Sequence, residues 1–118
     1  MSFSASACFT DSYSLGLLTL KEKGDPMDPV SWIKSPVPVF SKSDKNKVYG
    51  PGHNAFFKSP DGKQDWILYH ANSLPNQSCS RFRNPRIQKI KWNTDGTPNF
   101  GEPVSVDVRL KKPSGDVY

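Results

Sequence analysis

Eleven prolines and eight glycines are spread through 118 residues. Proline has no amide hydrogen and a fixed φ, so it stops or kinks a helix, while glycine weakens regular elements and marks turns. At that density long helices are excluded, and short strands separated by turns are favoured. The chain is therefore predicted to be all-β and loop-rich. Its 35% hydrophobic and 12% aromatic content suffices for one small domain that buries roughly two thirds of its unfolded surface. No apolar run approaches the ~20 residues of a membrane helix. Residues 1–6 carry no basic region and no long apolar stretch, so no signal peptide is visible.

Strand and turn signals alternate along the chain. Residues 2–7 alternate small and polar side chains, and residues 13–20 form a longer apolar strand. Asp28-Pro29 reads as a cap followed by proline at the first helical position, giving a single turn that ends near Trp32. Residues 35–40 contain two prolines and are at best an edge strand. Gly50-Pro51-Gly52 is expected to make a short, bare turn that presents His53 at the start of the apolar strand 54–58. Ser59-Pro60-Asp61-Gly62 joins that strand to residues 65–71, since proline presets φ and glycine supplies φ > 0. Residues 86–92 are the third strand, with Gln88, Ile90 and Trp92 on one face; residues 102–106 are the fourth. Four antiparallel strands joined by hairpins make a meander, the unit of a propeller blade. The first forty residues read as most of another.

The net charge of +5 raises nucleic acid as a partner, with five basic residues over 81–91. They come with no nucleic-acid motif, so nucleic acid is not expected. Cys8 and Cys79 are too few for a disulfide scaffold and have no metal-type spacing; they are buried thiols or one bridge. Asn76-Gln77-Ser78 is a glycosylation sequon, which favours a secreted parent.

Several segments together resemble glycoside hydrolase family 43. They are Ser4-Ala5-Ser6, residues 13–18, Asp28-Pro29-Val30-Ser31-Trp32 and residues 36–40, followed by Tyr49-Gly50-Pro51-Gly52-His53-Asn54, residues 65–70, 86–90 and 95–98. The likeness is greatest to α-L-arabinofuranosidase and arabinanase-like members and covers residues 2–106. It implies a five-bladed β-propeller with a central active-site cavity. Residues 1–47 would be the remainder of the penultimate blade, 48–106 the final blade and 107–118 a tail. The resemblance implies three carboxylates as catalytic apparatus, all upstream of the matched part, so no catalytic residue is expected in this chain. The eleven carboxylates present lie almost entirely in turns, loops or tails. An inverting glycosidase needs two carboxyl groups about 6.5–9.5 Å apart, one with a raised pKa. Two blades alone leave open sheet edges and are expected to be poorly stable.

By the same resemblance, His53 faces the central cavity, where it binds substrate or holds calcium or another cation, often through water. Its alternative is a strand-end histidine capping a turn. Arg86 opens a strand and would bond sugar hydroxyls bidentately or form a surface ion pair. His70 is read as a core histidine with its hydrogen bonds satisfied. Trp32, Trp66 and Trp92 are read as blade core, with stacking on sugar as the alternative. Tyr13 and Thr10-Asp11 lie in a loop that could rim the cavity. The implied function is part of an extracellular glycosidase acting on arabinan, arabinoxylan or related oligosaccharides. The alternative is a non-catalytic carbohydrate-binding β module.

Overall fold

The computed structural model describes residues 1–117 as two three-stranded antiparallel sheets and a small third ladder. In the first sheet β1 (Ser2–Ala5) pairs with β2 (Ser14–Leu20), which pairs with β3 (Trp32–Lys34). The connection to β3 holds a 3₁₀ turn, Pro29–Ser31, whose cap Asp28 accepts a hydrogen bond from the Val30 amide at 3.0 Å. Residues 35–40 do not form a full strand. Only the Leu15–Phe40 bridge forms, because Pro36 and Pro38 remove the amides that a longer ladder requires.

The second sheet runs β4 (Tyr49–Lys58), β5 (Asp65–Asn72), β6 (Asn84–Lys89). The β4–β5 turn closes through the Gly62 amide donating to the Ser59 carbonyl at 2.8 Å, with Gly62 at φ 72°. Gly50-Pro51-Gly52 is not a separate turn. It lies within β4, where pairing steps from Tyr49–Asn72 to Gly52–His70 and then to Ala55–Leu68. Each step spends three residues of β4 against two of β5, so β4 carries two successive bulges.

The expected third and fourth strands also differ. The run 86–92 breaks at Ile90, whose amide donates to the Asp65 carbonyl at 2.8 Å. Lys91–Trp92 (β7) then pairs with Pro98–Asn99 (β8). Arg86, Gln88 and Ile90 are buried, whereas Trp92 turns outward. Residues 102–106 form no strand. The Gln88 side chain takes the place of that pairing: its Nε2 donates to the Phe100 carbonyl at 2.6 Å, and its Oε1 accepts from the Val104 amide at 3.1 Å.

One core joins the two sheets. Leu15 and Phe40 from the first half pack with Val48, Ile67, Tyr69, Ala71, Ile90 and Phe100 from the second. Phe40 sets its edge against Tyr69 at 4.8 Å between ring centroids. The tail folds back on the β4–β5 turn, where Ser114 donates to the Asp61 carboxylate at 2.7 Å. Among the described residues no helix is long and apolar enough to cross a membrane.

Candidate functional site

The bulges in β4 determine where His53 goes. His53 has φ 52°, a left-handed conformation uncommon for a side chain with a Cβ, and its amide donates to Ser4 Oγ at 3.1 Å. Its exposed imidazole lies 5.3 Å from the ring of His70, the residue paired with Gly52 across the strand. Gly52 is required because a Cβ there would run into the Tyr13 ring. Tyr13 is buried, and the Arg83 guanidinium sits 4.8 Å above its ring.

Two loops converge on these side chains. Cys8 and Cys79 form a disulfide, which resolves the two alternatives for the cysteines and ties the loop before β2 to the loop before β6. Arg83 Nη2 donates to the Cys8 carbonyl at 2.7 Å and the Gly50 carbonyl at 3.4 Å. Asp11, expected at a cavity rim, accepts from the Asn76 amide at 3.0 and 3.1 Å, while its own carbonyl accepts from the Gly50 amide at 3.1 Å. The sequon residue Asn76 is exposed on this loop.

His70 departs from the reading of a satisfied core histidine. It is half-buried, and its Nδ1 is buried with no partner among the described residues. Burial, reinforced by the charges of Arg83 and His53, pulls its pKa below the usual imidazole value. At neutral pH it is therefore an uncharged ring with an unpaired nitrogen. Arg83 also has its pKa lowered by burial and keeps its Nε buried and unpaired. It nevertheless remains cationic, as arginine does in proteins.

Arg86 is not brought to His53. It pairs across the strand with Tyr69, so it projects from the face opposite His70. Its Nε donates to Asn84 Oδ1 at 3.1 Å and its Nη2 to Ser73 Oγ at 2.9 Å. Those partners stand at the two ends of the loop that carries Cys79 and Arg83, so Arg86 holds the base of that loop. Burial lowers its pKa, and the same burial pushes the neighbouring Tyr69 up to about 12.

Sequence reading assigned His70 to the core and did not single out Arg83. A signal for His70 existed. Counting back in step from the Lys58–Asp65 pair at the turn sets residue 53 opposite residue 70, and the bulges shift this by only one position. Nothing local distinguished Arg83 from Arg81 or Arg86; its position follows from the disulfide.

Among the described residues no three His, Cys, Asp or Glu side chains gather at one place. Calcium takes six to eight oxygen ligands, whereas this cluster presents two imidazoles and a guanidinium. Among the described residues, then, no side-chain cluster by itself supplies a calcium coordination sphere. Three carboxylates are moved away from what a general acid needs. Asp61 is held down to about 2 by hydrogen bonds from Ser59 and Ser114. Asp65 is lowered by its bonds with Lys58 and Trp92, and Asp95 by its bonds with Thr97.

Residues 1–98 match the model of the glycosyl hydrolases family 43. The chain belongs to that family. An extracellular exo-α-(1→5)-L-arabinofuranosidase of Streptomyces avermitilis is 44% identical over 113 residues, which is 92% of this chain and 23% of that protein. An α-L-arabinofuranosidase B of Pyricularia oryzae is 42% identical over 104 residues, or 84% of this chain and 21% of that one. The crystal structure of an α-L-arabinofuranosidase from Lactobacillus brevis superimposes with a TM-score of 0.81 at 39% identity, covering 92% of this chain and 34% of that one. This family-43 chain thus spans between a fifth and a quarter of the length of the curated relatives it matches. Its two sheets are a partial propeller, as the all-β expectation had it.

Proposed function

We propose that this chain forms part of a secreted, arabinofuranosidase-like glycosidase that cleaves arabinose-containing plant polysaccharides, and that it supplies a wall of the substrate site rather than the acid and base. The observation that carries this reading is the Tyr13–His53–His70–Arg83 cluster, which has cationic and imidazole groups but no carboxylate pair. The neutral His70 imidazole accepts from sugar hydroxyls, and the Arg83 guanidinium donates to them. Arabinan, arabinoxylan and their oligosaccharides are the substrates that fit the relatives' names. Secretion fits both the word extracellular in the S. avermitilis name and the disulfide, which persists in oxidising compartments.

A general acid needs a raised pKa, whereas the shifted carboxylates here all move down. The isolated chain is therefore expected to release no p-nitrophenol from p-nitrophenyl α-L-arabinofuranoside, while a longer polypeptide containing it does. Turnover by the isolated chain would overturn the division of labour. Failure of the longer polypeptide on every arabinoside would overturn the activity.

A further inference from the structure

Asn76 differs from every other asparagine in the chain, of which there are seven in all. Among the described residues the other six each donate a side-chain hydrogen bond, as Asn54 does to Ser2, Asn72 to the Ser78 carbonyl and Asn93 to Thr97. Asn76 is bonded through its backbone alone, its amide donating to the Asp11 carboxylate at 3.0 and 3.1 Å. Its carboxamide is exposed and has no partner among the described residues. Asn76 also has φ 60°, a left-handed conformation that asparagine adopts more readily than most side chains. Glycine would serve that backbone at no steric cost, so the conformation alone does not select asparagine. Two residues on, Ser78 is exposed as well, and its hydroxyl makes no bond among the described residues. Asn76-Gln77-Ser78 is the one Asn-X-Ser/Thr triplet of the chain, with no proline between its ends. Both polar groups of the triplet are thus free in the folded protein, although the loop beneath them is pinned. Gln77 Oε1 accepts from the Leu74 amide at 3.3 Å, and Cys79 is bridged to Cys8. The pinning residues Cys8 and Asp11 belong to the β1–β2 loop, so Asn76 stands where loops of the two sheets meet.

We propose that Asn76 is an N-glycosylation site of the secreted protein. The proposal rests on the reading above that the protein is secreted, and it adds a covalent modification to that reading. The co-substrate is a polyprenyl-diphosphate-linked oligosaccharide of the secretory pathway. Asn76 Nδ2 attacks the anomeric carbon of the first N-acetylglucosamine. A C–N bond forms, the C–O bond to the diphosphate breaks, Nδ2 gives up one proton and the polyprenyl diphosphate leaves. Nothing is oxidised or reduced. The attacking nitrogen holds no hydrogen bond that the sugar would break, and an exposed loop has room for its bulk. The position matters for the substrate site. Asp11 takes the Asn76 amide on its carboxylate and the Gly50 amide on its carbonyl, and the Gly50 carbonyl in turn accepts from Arg83. The glycan is therefore rooted beside the Tyr13–His53–His70–Arg83 cluster, on a loop that the disulfide holds in place.

The test secretes a longer polypeptide containing this chain from a eukaryotic host, behind a foreign leader. Peptide N-glycosidase leaves aspartate wherever it removes a glycan. The reduced tryptic peptide 64–81 contains Asn76 and no other acceptor triplet, so its mass reports this site directly. Most of the secreted protein is expected to give a glycopeptide before the enzyme and aspartate at position 76 after it, with an untreated sample as the control for spontaneous deamidation. Asn76→Gln and Ser78→Ala should each abolish the glycan, and Ser78→Thr should keep it. An unmodified Asn76 in the secreted, disulfide-bonded protein would overturn the proposal. So would a sugar on this peptide that survives in Asn76→Gln, which would place it on a hydroxyl. The foreign leader supplies secretion and no readout uses turnover. An unmodified Asn76 therefore counts against the glycan alone, and failure on every arabinoside counts against the glycosidase reading alone.

Discussion

His53 and His70 set their rings 5.3 Å apart where β4 bulges against β5. Glycine on both sides of Pro51 marked His53 as a presented residue, and the structure keeps it exposed at φ 52°. What was not legible is that the bare stretch is bulged strand, since glycine and proline permit bulges as readily as turns. The lowered pKa of His70 has a thermodynamic consequence. With its folded pKa below the unfolded value, the folded state binds fewer protons than the unfolded state between the two. Its contribution to stability is therefore present above about pH 6.5 and is lost as pH falls through the folded pKa. Urea midpoints between pH 7.5 and 5 should decline in the native chain and decline less in His70→Gln. Equal slopes would show that His70 titrates as it does in the unfolded chain.

At the level of elements, periodicity and turn chemistry located β2, residues 54–58 of β4, β5 and most of β6; β2 and β5 are apolar runs, and Ser59-Pro60-Asp61-Gly62 marks the turn between β4 and β5. They failed at the fourth strand. Gly101 weakens the approach to residues 102–106, and Pro103 removes from them an amide that a ladder needs. A single side chain substitutes: Gln88 bonds the Tyr69 hydroxyl, the Phe100 carbonyl and the Val104 amide. A buried amide acting as a backbone surrogate leaves no periodic trace. Gln88→Leu should leave those partners unsatisfied and lower unfolding stability by about 3 kcal/mol. A loss well under 1 kcal/mol, read from denaturant melts, would mean that water or local rearrangement replaces the amide.

For the molecule as a whole, composition settled the fold class, and the two sheets share one core through Leu15 and Phe40. The tertiary tie between the halves was not readable, because two cysteines 71 positions apart carry no signal of proximity. That bridge positions the loop bearing Arg83 against Tyr13. Replacing both cysteines with serine should cost about 4 kcal/mol by loop-closure entropy, visible as a lower urea midpoint. An unchanged midpoint would show that the shared core alone fixes the two sheets. We propose that Arg83, rather than Arg86, stands with His53 in the substrate site. It is tested most directly in a longer polypeptide containing this chain, by measuring kcat/KM on p-nitrophenyl α-L-arabinofuranoside for Arg83→Ala. A fall of about 100-fold, measured below the variant's thermal midpoint, is predicted; an unchanged kcat/KM would contradict it.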